Sequence, residues 1–438
     1  MKPNAIYGEN LAANRPPQPD VRNVMRFSGF FQKTPAAFGM NEEHLDKHTL
    51  LVGTTGCGKT TLMNKMITQT LNRLTPNDVV IIFDSKGDFY SKFGNYSRAQ
   101  VIGNSKQYLG RSQRWNIFRE ILFDAKSDRD IVMNAQEISK ILFADREKRT
   151  NNPFFPNAAR DLFASILIFL TRTGARDKNF AATTLFNNKL KELLEKSTAD
   201  DLLHFLSFDQ DLNSVSSYIS GGGEQANGVL SEMYSVVRDI LIGVFAEQGN
   251  FSIKDFVHRR GGNVLFVEYD LAIGQTLTPV YRLLIDLALK EALGRTNANG
   301  VATGNVYLFC DEFRLVPHLQ HIDDGVNFGR SLGVKIFAGI QSVEQIYELY
   351  GESRGRNILT GFSNLFAFRT FDPSTMKYIR ERSGRNVVLD PFFTSSQEMK
   401  EKPRDSHTIE DWDLYTLAVG EAIVSLAFGK PFRFQFQA

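Results

Sequence analysis

An α/β fold with a mainly parallel central sheet and an inserted all-α domain is predicted from three observations. Short apolar runs end abruptly at glycine or acidic residues, as buried strands do where they enter turns. Helical spacings separate those runs, and a strand–helix–strand alternation implies parallel pairing. The stretch 120–256 breaks the alternation, because helical patterns dominate it and β-branched runs are few.

The first strand is read at His48–Val52 (HTLLV), broken at Gly53. Leu62, Met63, Met66, Ile67 and Leu71 then fall at helical spacing. Val79–Phe83 (VVIIF) follows as a second buried strand, bounded by Thr-Pro-Asn-Asp and by Asp84. Strand signals return at Asn263–Val267, Asn305–Cys310, Lys335–Gly339, Asn364–Arg369 and Ala422–Phe428. Helical patterns lie between the first four of these, at Leu277–Leu293, Asp324–Ser331 and Val343–Tyr350. In the middle stretch the expected helices are Ile131–Phe143, Ala158–Thr171, Thr183–Lys196, Ala199–Leu206 and Leu230–Phe245. The expected organisation is therefore a flexible N-terminal arm over 1–33, rich in Asn and Pro. A nucleotide-binding domain follows, split between 34–119 and 257–438, with the all-α insertion at 120–256.

Composition narrows the function classes. The chain has 438 residues, enough for more than one domain. Its formal net charge of +2 excludes a uniformly basic surface for coating duplex DNA. Any nucleic-acid contact is expected to be local. Two cysteines, Cys57 and Cys310, cannot build a disulfide framework or a multi-cysteine zinc site. No apolar signal segment is visible near the N-terminus. The longest apolar run, Leu162–Leu170, is too short to cross a bilayer and reads as a buried helix, so the chain as given is expected to be cytoplasmic.

The chemistry is carried by Gly53-Thr54-Thr55-Gly56-Cys57-Gly58-Lys59-Thr60, a full match to the phosphate-binding pattern G-x-x-x-x-G-K-[ST]. Glycines let successive backbone N–H groups converge on phosphate, and the helix that follows presents its positive end there. Lys59 is expected on the β- and γ-phosphates of ATP, Thr60 on Mg²⁺, and Thr61 beside them in the first helical turn. The strand ending at Asp311-Glu312 supplies the complement: Asp311 for Mg²⁺, Glu312 to orient or deprotonate the attacking water. Together these predict an ATPase. Gln341, directly after a strand, suits either sensing of the γ-phosphate or a plain polar position. Arg330 reads either as a surface charge or as an arginine finger reaching a neighbour's nucleotide. Asp84 in Asp84-Ser85-Lys86-Gly87-Asp88 suits a ligand crevice and turn chemistry equally. Trp115-Asn116 reads as core and turn rather than as a base-stacking platform, and His318 and His321 lack the companions a metal site needs.

Several segments together resemble the conjugative coupling proteins of type IV secretion systems, the TraD/TrwB-like group in the FtsK/HerA branch of P-loop ATPases. The segments are HTLLVGTTGCGKTTL (48–62), FDSKGD (83–88), RWNIF (114–118), NPFFPNAARDLF (152–163), LFCDEF (308–313), FGRSLGVKIFAGIQSVEQIYELYG (328–351) and GEAIVSLAFGKP (420–431). They cover most of 40–435 in the family's order. The resemblance implies a RecA-like nucleotide domain and a homo-hexameric ring that pumps single- or double-stranded DNA. It also implies relaxase or relaxosome partners and a type IV secretion channel. Arg330 falls at the family's trans-acting arginine and Gln341 at its motif glutamine. The family begins with two transmembrane helices that this sequence lacks, so attachment to the cytoplasmic face of the inner membrane is expected through a partner or a further segment. Two other jobs suit the same motifs: an FtsK/HerA-type motor in chromosome or DNA processing, and a nucleotide-gated adaptor that docks substrates. The intact Glu312 speaks against the adaptor.

Overall fold

The computed structural model describes residues 5–108, 110–148, 150, 152–294, 304–393 and 399–437. The chain divides into two compact units, one formed by 1–83 with 293–438, the other by 84–292.

The first unit is built on a mixed sheet. Its strands are β1 (Met25–Phe31), β2 (Thr34–Met40), β3 (Thr49–Val52), β4 (Val79–Asp84), β5 (Val306–Cys310), β6 (Val334–Ile340), β7 (Asn364–Phe368), β8 (Glu421–Ser425) and β9 (Phe432–Phe436). Their spatial order is β2-β1-β9-β8-β7-β3-β6-β5-β4. The five strands from β7 to β4 run parallel. Every residue of those five is buried, which is why each appears in the sequence as an unbroken apolar run. The helix α1 (Lys59–Leu71) closes the β3–β4 crossover and buries Leu62, Met63, Met66 and Ile67. Each such side chain contributes about 1.5–3 kcal/mol on leaving water.

Beyond β7 the sheet turns antiparallel through β8, β9, β1 and β2. An aromatic core binds this half: Phe38 lies 5.1 Å from Phe27 and from Phe432, and 4.9 Å from Phe434, ring centre to ring centre. The expectation of a loose arm over 1–33 is corrected for 5–33, residues 1–4 lying outside the described residues. Met25–Phe31 is a sheet strand whose Met25 and Phe27 are buried. Further upstream, Asn14 Nδ2 donates to the Pro431 carbonyl and Glu9 pairs with Lys430. A separate three-stranded antiparallel sheet joins Ala5–Tyr7, Arg385–Phe393 and Met399–His407.

The second unit holds a parallel pair of strands, Ala99–Ile102 and Asn263–Glu268, and the helices from Ile117 to Leu293. It therefore takes in more of the chain than the expected all-α insertion at 120–256. Helices Asp128–Lys148, Phe154–Arg176 and Gly223–Ile240 are its longest within that stretch. Phe154–Arg176 is the one described helix long and apolar enough to cross a membrane, and 67% of its apolar window is buried within the protein. It is a core helix, as read from Leu162–Leu170. Arg172 on it gathers Asp128, Asp209 and Asp211. Trp115 is fully buried, and Asn116 caps the helix Ile117–Leu122, accepting from the Phe118 and Arg119 amides. Both therefore serve as core and cap. Asp84 accepts from the Tyr90 and Lys86 amides across the 84–90 turn, so its role is turn chemistry.

Candidate nucleotide site

The register of the parallel strands gathers the site. Val52 pairs with both Ile340 and Ala367, and Cys310 pairs with Ala338. The carboxyl ends of β7, β3, β6 and β5 therefore share one edge, the crevice where open α/β sheets bind ligands. Gly53, Asp311, Gln341 and Arg369 each lie one residue past their strands, and Glu312 lies two past β5.

The loop after β3 is shaped by sterics. Gly53 has φ +154°, and a Cβ there would stand 2.7 Å from Phe368 Cβ and 3.0 Å from Cys57 Sγ. Gly58 is left-handed at φ +115° and closes against Gly420, whose Cα would lie 3.1 Å from a Cβ at 58. The loop is pinned from outside as well. Thr54 N donates to the Arg369 carbonyl at 2.9 Å, and Gly420 N donates to the Cys57 carbonyl at 2.9 Å. Thr55, Gly56 and Thr61 remain exposed, so the loop's outer rim stays open to a ligand.

Lys59 is buried, and its ammonium donates to the Gly53 carbonyl at 2.6 Å and the Thr54 carbonyl at 3.1 Å. A lysine held across its own loop is poised to exchange those carbonyls for phosphate oxygens. Thr60 Oγ1 donates to Asp311 Oδ2 at 2.6 Å. This hydroxyl–carboxylate pair, an oxygen-only donor set at a helix N-terminus, fits Mg²⁺. Gln341 Nε2 donates to Glu312 Oε2 at 2.9 Å, and Arg314 Nε to Glu312 Oε1 at 2.9 Å. Cys57 and Cys310 are both buried free thiols, and burial raises the pKa of each.

Lys59, Thr60, Asp311, Glu312 and Gln341 are thus brought together. Arg330 is not: it sits exposed on the single turn Gly329–Leu332, and among the described residues no hydrogen bond or ion pair involves it. Arg314, Arg369 and Gly420 were missed from the sequence. Arg369 and Gly420 enter through strand pairing, which leaves no local signature, whereas Arg314 carried a visible signal, a cation two residues past Glu312.

A family profile described as the type IV secretion-system coupling protein DNA-binding domain matches residues 34–412. The chain belongs to this family. Among curated relatives, coupling protein TraD of Escherichia coli (strain K12) is 22% identical over 329 residues, 73% of this chain and 41% of TraD. Conjugal transfer protein TraG of Agrobacterium fabrum is 27% identical over 143 residues, 32% of this chain and 20% of TraG. The chain thus spans less than half the length of either of these relatives. Among solved structures, the coupling protein TrwB in complex with the ATP analogue ADPNP aligns with a TM-score of 0.72 at 20% identity, covering 99% of this chain and 95% of TrwB. TrwB with ADP and Mg²⁺ aligns at 0.70, 20% identity, and 96% and 89% coverage. These likenesses establish the RecA-like coupling-protein fold.

Proposed function

We propose that this coupling-protein chain hydrolyses ATP with Mg²⁺ and uses the energy to move DNA, delivered with its relaxase, into a type IV secretion channel. The observation that carries the reading is the pairing of a complete phosphate loop with a water-activating carboxylate held in place: Thr60 on Asp311 at 2.6 Å, Glu312 on Gln341 at 2.9 Å. A protein that only bound nucleotide would have little use for the second pair. The DNA-binding description of the family supports the cargo, and the ADP–Mg²⁺ complex of TrwB supports the cofactors.

In this reading the backbone of 53–60 cradles the phosphates and Lys59 follows the charge on the γ-phosphate. Thr60 and Asp311 would hold Mg²⁺, which neutralises phosphate charge when bound. Glu312 takes a proton from, or aligns, the attacking water, and Gln341 fixes the carboxylate that does so. Arg330, exposed and outside the cluster, acts on the nucleotide of a neighbouring copy in a homo-hexameric ring. The ring works at the cytoplasmic face of the inner membrane.

The test is steady-state ATP hydrolysis across a protein concentration series, with and without single- and double-stranded DNA, using Glu312→Gln as the blank. The expected result is a rate per subunit that climbs with protein concentration and with DNA. A rate indifferent to both would overturn the motor reading.

A further inference from the structure

We infer that Arg314 is a releasable latch on Glu312: it occupies the carboxylate while no DNA is bound, and a nucleic-acid phosphate that captures its guanidinium frees the carboxylate for water. This regulates the hydrolytic site proposed above and rests on that reading.

The two donors on Glu312 differ in kind. Gln341 reaches Oε2 from the end of β6, a strand buried along its whole length, and its own amide donates to Gln345 Oε1 at 3.3 Å. Arg314 reaches Oε1 from only two residues along the chain, on the single turn Phe313–Leu315. Its side chain is 48% exposed, against 16% for that of Glu312. One restraint belongs to the sheet, and the other is a local ion pair open to solvent.

The backbone beneath the arginine is fixed. Leu315 N donates to the Glu312 carbonyl at 3.0 Å and Val316 N to the Phe313 carbonyl at 3.2 Å, while Phe313 and Val316 are buried. Movement therefore falls to the arginine side chain. Its Nε holds Glu312, and among the described residues its two Nη groups make no hydrogen bond. The fork of the guanidinium is left open to an incoming anion.

An exposed ion pair between near neighbours is weakly held, so a competing anion displaces it readily. Phosphodiester groups suit the exchange, because the planar guanidinium matches phosphate and the backbone presents one such anion after another. A chain of net charge +2 has no basic coat and must meet DNA through individual cations. Arg314 is such a cation, placed on the carboxylate that serves hydrolysis. The DNA-binding description of the family supports nucleic acid as the source of the anion. With the latch closed, Oε1 accepts from the guanidinium. With it open, Oε1 can accept from the attacking water while Gln341 keeps Oε2 in place.

The test is ATP hydrolysis by the intact chain at fixed protein concentration, without polyanion, with DNA, and with polyglutamate at matched charge. Arg314→Ala should raise the DNA-free rate about fivefold, the upper end of what an exposed ion pair can hold back, and should lose the further response to DNA. The rise should lie in kcat and not in KM, and the unfolding midpoint should match the parent's because the side chain is exposed. Arg314→Lys, which keeps the charge, should remain responsive to DNA. A fall in rate with the DNA response intact makes Arg314 an aligning residue and overturns the latch, as does an unchanged rate. Polyglutamate stimulating as well as DNA overturns the nucleic-acid assignment. A parent that hydrolyses ATP but ignores DNA overturns the latch, and a parent that hydrolyses no ATP overturns the hydrolytic reading and the latch with it.

Discussion

Glu312 is held between two donors from different parts of the chain, Gln341 Nε2 on one oxygen and Arg314 Nε on the other, each at 2.9 Å. The glutamine reaches it from the end of the neighbouring strand β6, so the strand pairing itself sets the carboxylate's aim. Gln341→Ala should leave Mg²⁺-ATP affinity within about threefold and cut turnover about a hundredfold, the usual scale for a misplaced general base. Gln341→Glu should be worse, because it replaces the donor to Glu312 with a second carboxylate that repels it. Binding titrations beside kcat check both. A parallel fall in affinity and turnover would remove Gln341 from the hydrolytic step.

Arg330 offers a sharper test because it is exposed and apart from the cluster. Arg330→Ala should bind ATP like the parent and lose about a thousandfold in turnover, the lower end of what an arginine finger supplies. Lys59→Ala should fail at binding. If the proposed ring forms, mixing the two variants should restore part of the activity, since a normal loop would face a normal arginine across an interface. Absence of any recovery over a range of mixing ratios would assign Arg330 to its own subunit or to the surface.

His48 ties the pH dependence of stability to the start of β3. Its imidazole is fully buried, and burial together with the Lys335 cation lowers its pKa from 6.5 to about 4. The Ile336 amide donates to Nδ1 at 3.2 Å, which requires the neutral ring. The unfolded chain takes up a proton near pH 6.5 while the folded one does not until about 4. Stability is therefore full above pH 6.5 and is lost as pH falls toward 4, by up to about 3 kcal/mol. Unfolding midpoints measured from pH 7.5 to 4.5 should fall accordingly, and His48→Gln should flatten the slope.

In the second unit Glu120 is fully buried. It accepts from Trp115 Nε1 at 2.9 Å, Ser252 Oγ at 2.8 Å and Ile253 N at 2.7 Å. Desolvation pushes its pKa up, and these donors push back. Glu120→Ala leaves these buried donors, and the Lys254 amide with them, without their acceptor and should cost about 3 kcal/mol. Urea unfolding followed by tryptophan emission would show it, with Glu120→Gln losing less.

The central strands were legible because burial on both faces writes a continuous apolar run, as in Val79–Phe83 and Lys335–Gly339. The same logic hid the edges. Met25–Phe31 alternates buried and exposed residues behind an Asn/Pro-rich segment, and Thr34–Met40 contains a proline. Met399–His407 (MKEKPRDSH) offers no apolar signal, yet pairs along its length with Arg385–Phe393. Within the site, the residues of contiguous motifs were readable, since the chemistry of phosphate and Mg²⁺ fixes their spacing. The supports were not. Arg369 and Gly420 touch the loop only because β7 lies beside β3 and β8 beside β7, a fact of pairing rather than of pattern.

The closure of the phosphate loop against Gly420 sets a timetable for biosynthesis. β3 leaves the ribosome early, but its two neighbours, β6 and β7, come more than half the chain later. Gly420 is itself held by the amide of Phe436, close to the last described residue. A nascent chain thus carries a bare apolar strand and an open loop until those residues are made, with contacts of high sequence separation still to form. Nucleotide affinity should consequently emerge only once the segment from Gly420 to Phe436 has been made. Ribosome-stalled chains truncated before 420 should engage chaperones and retain no ATP.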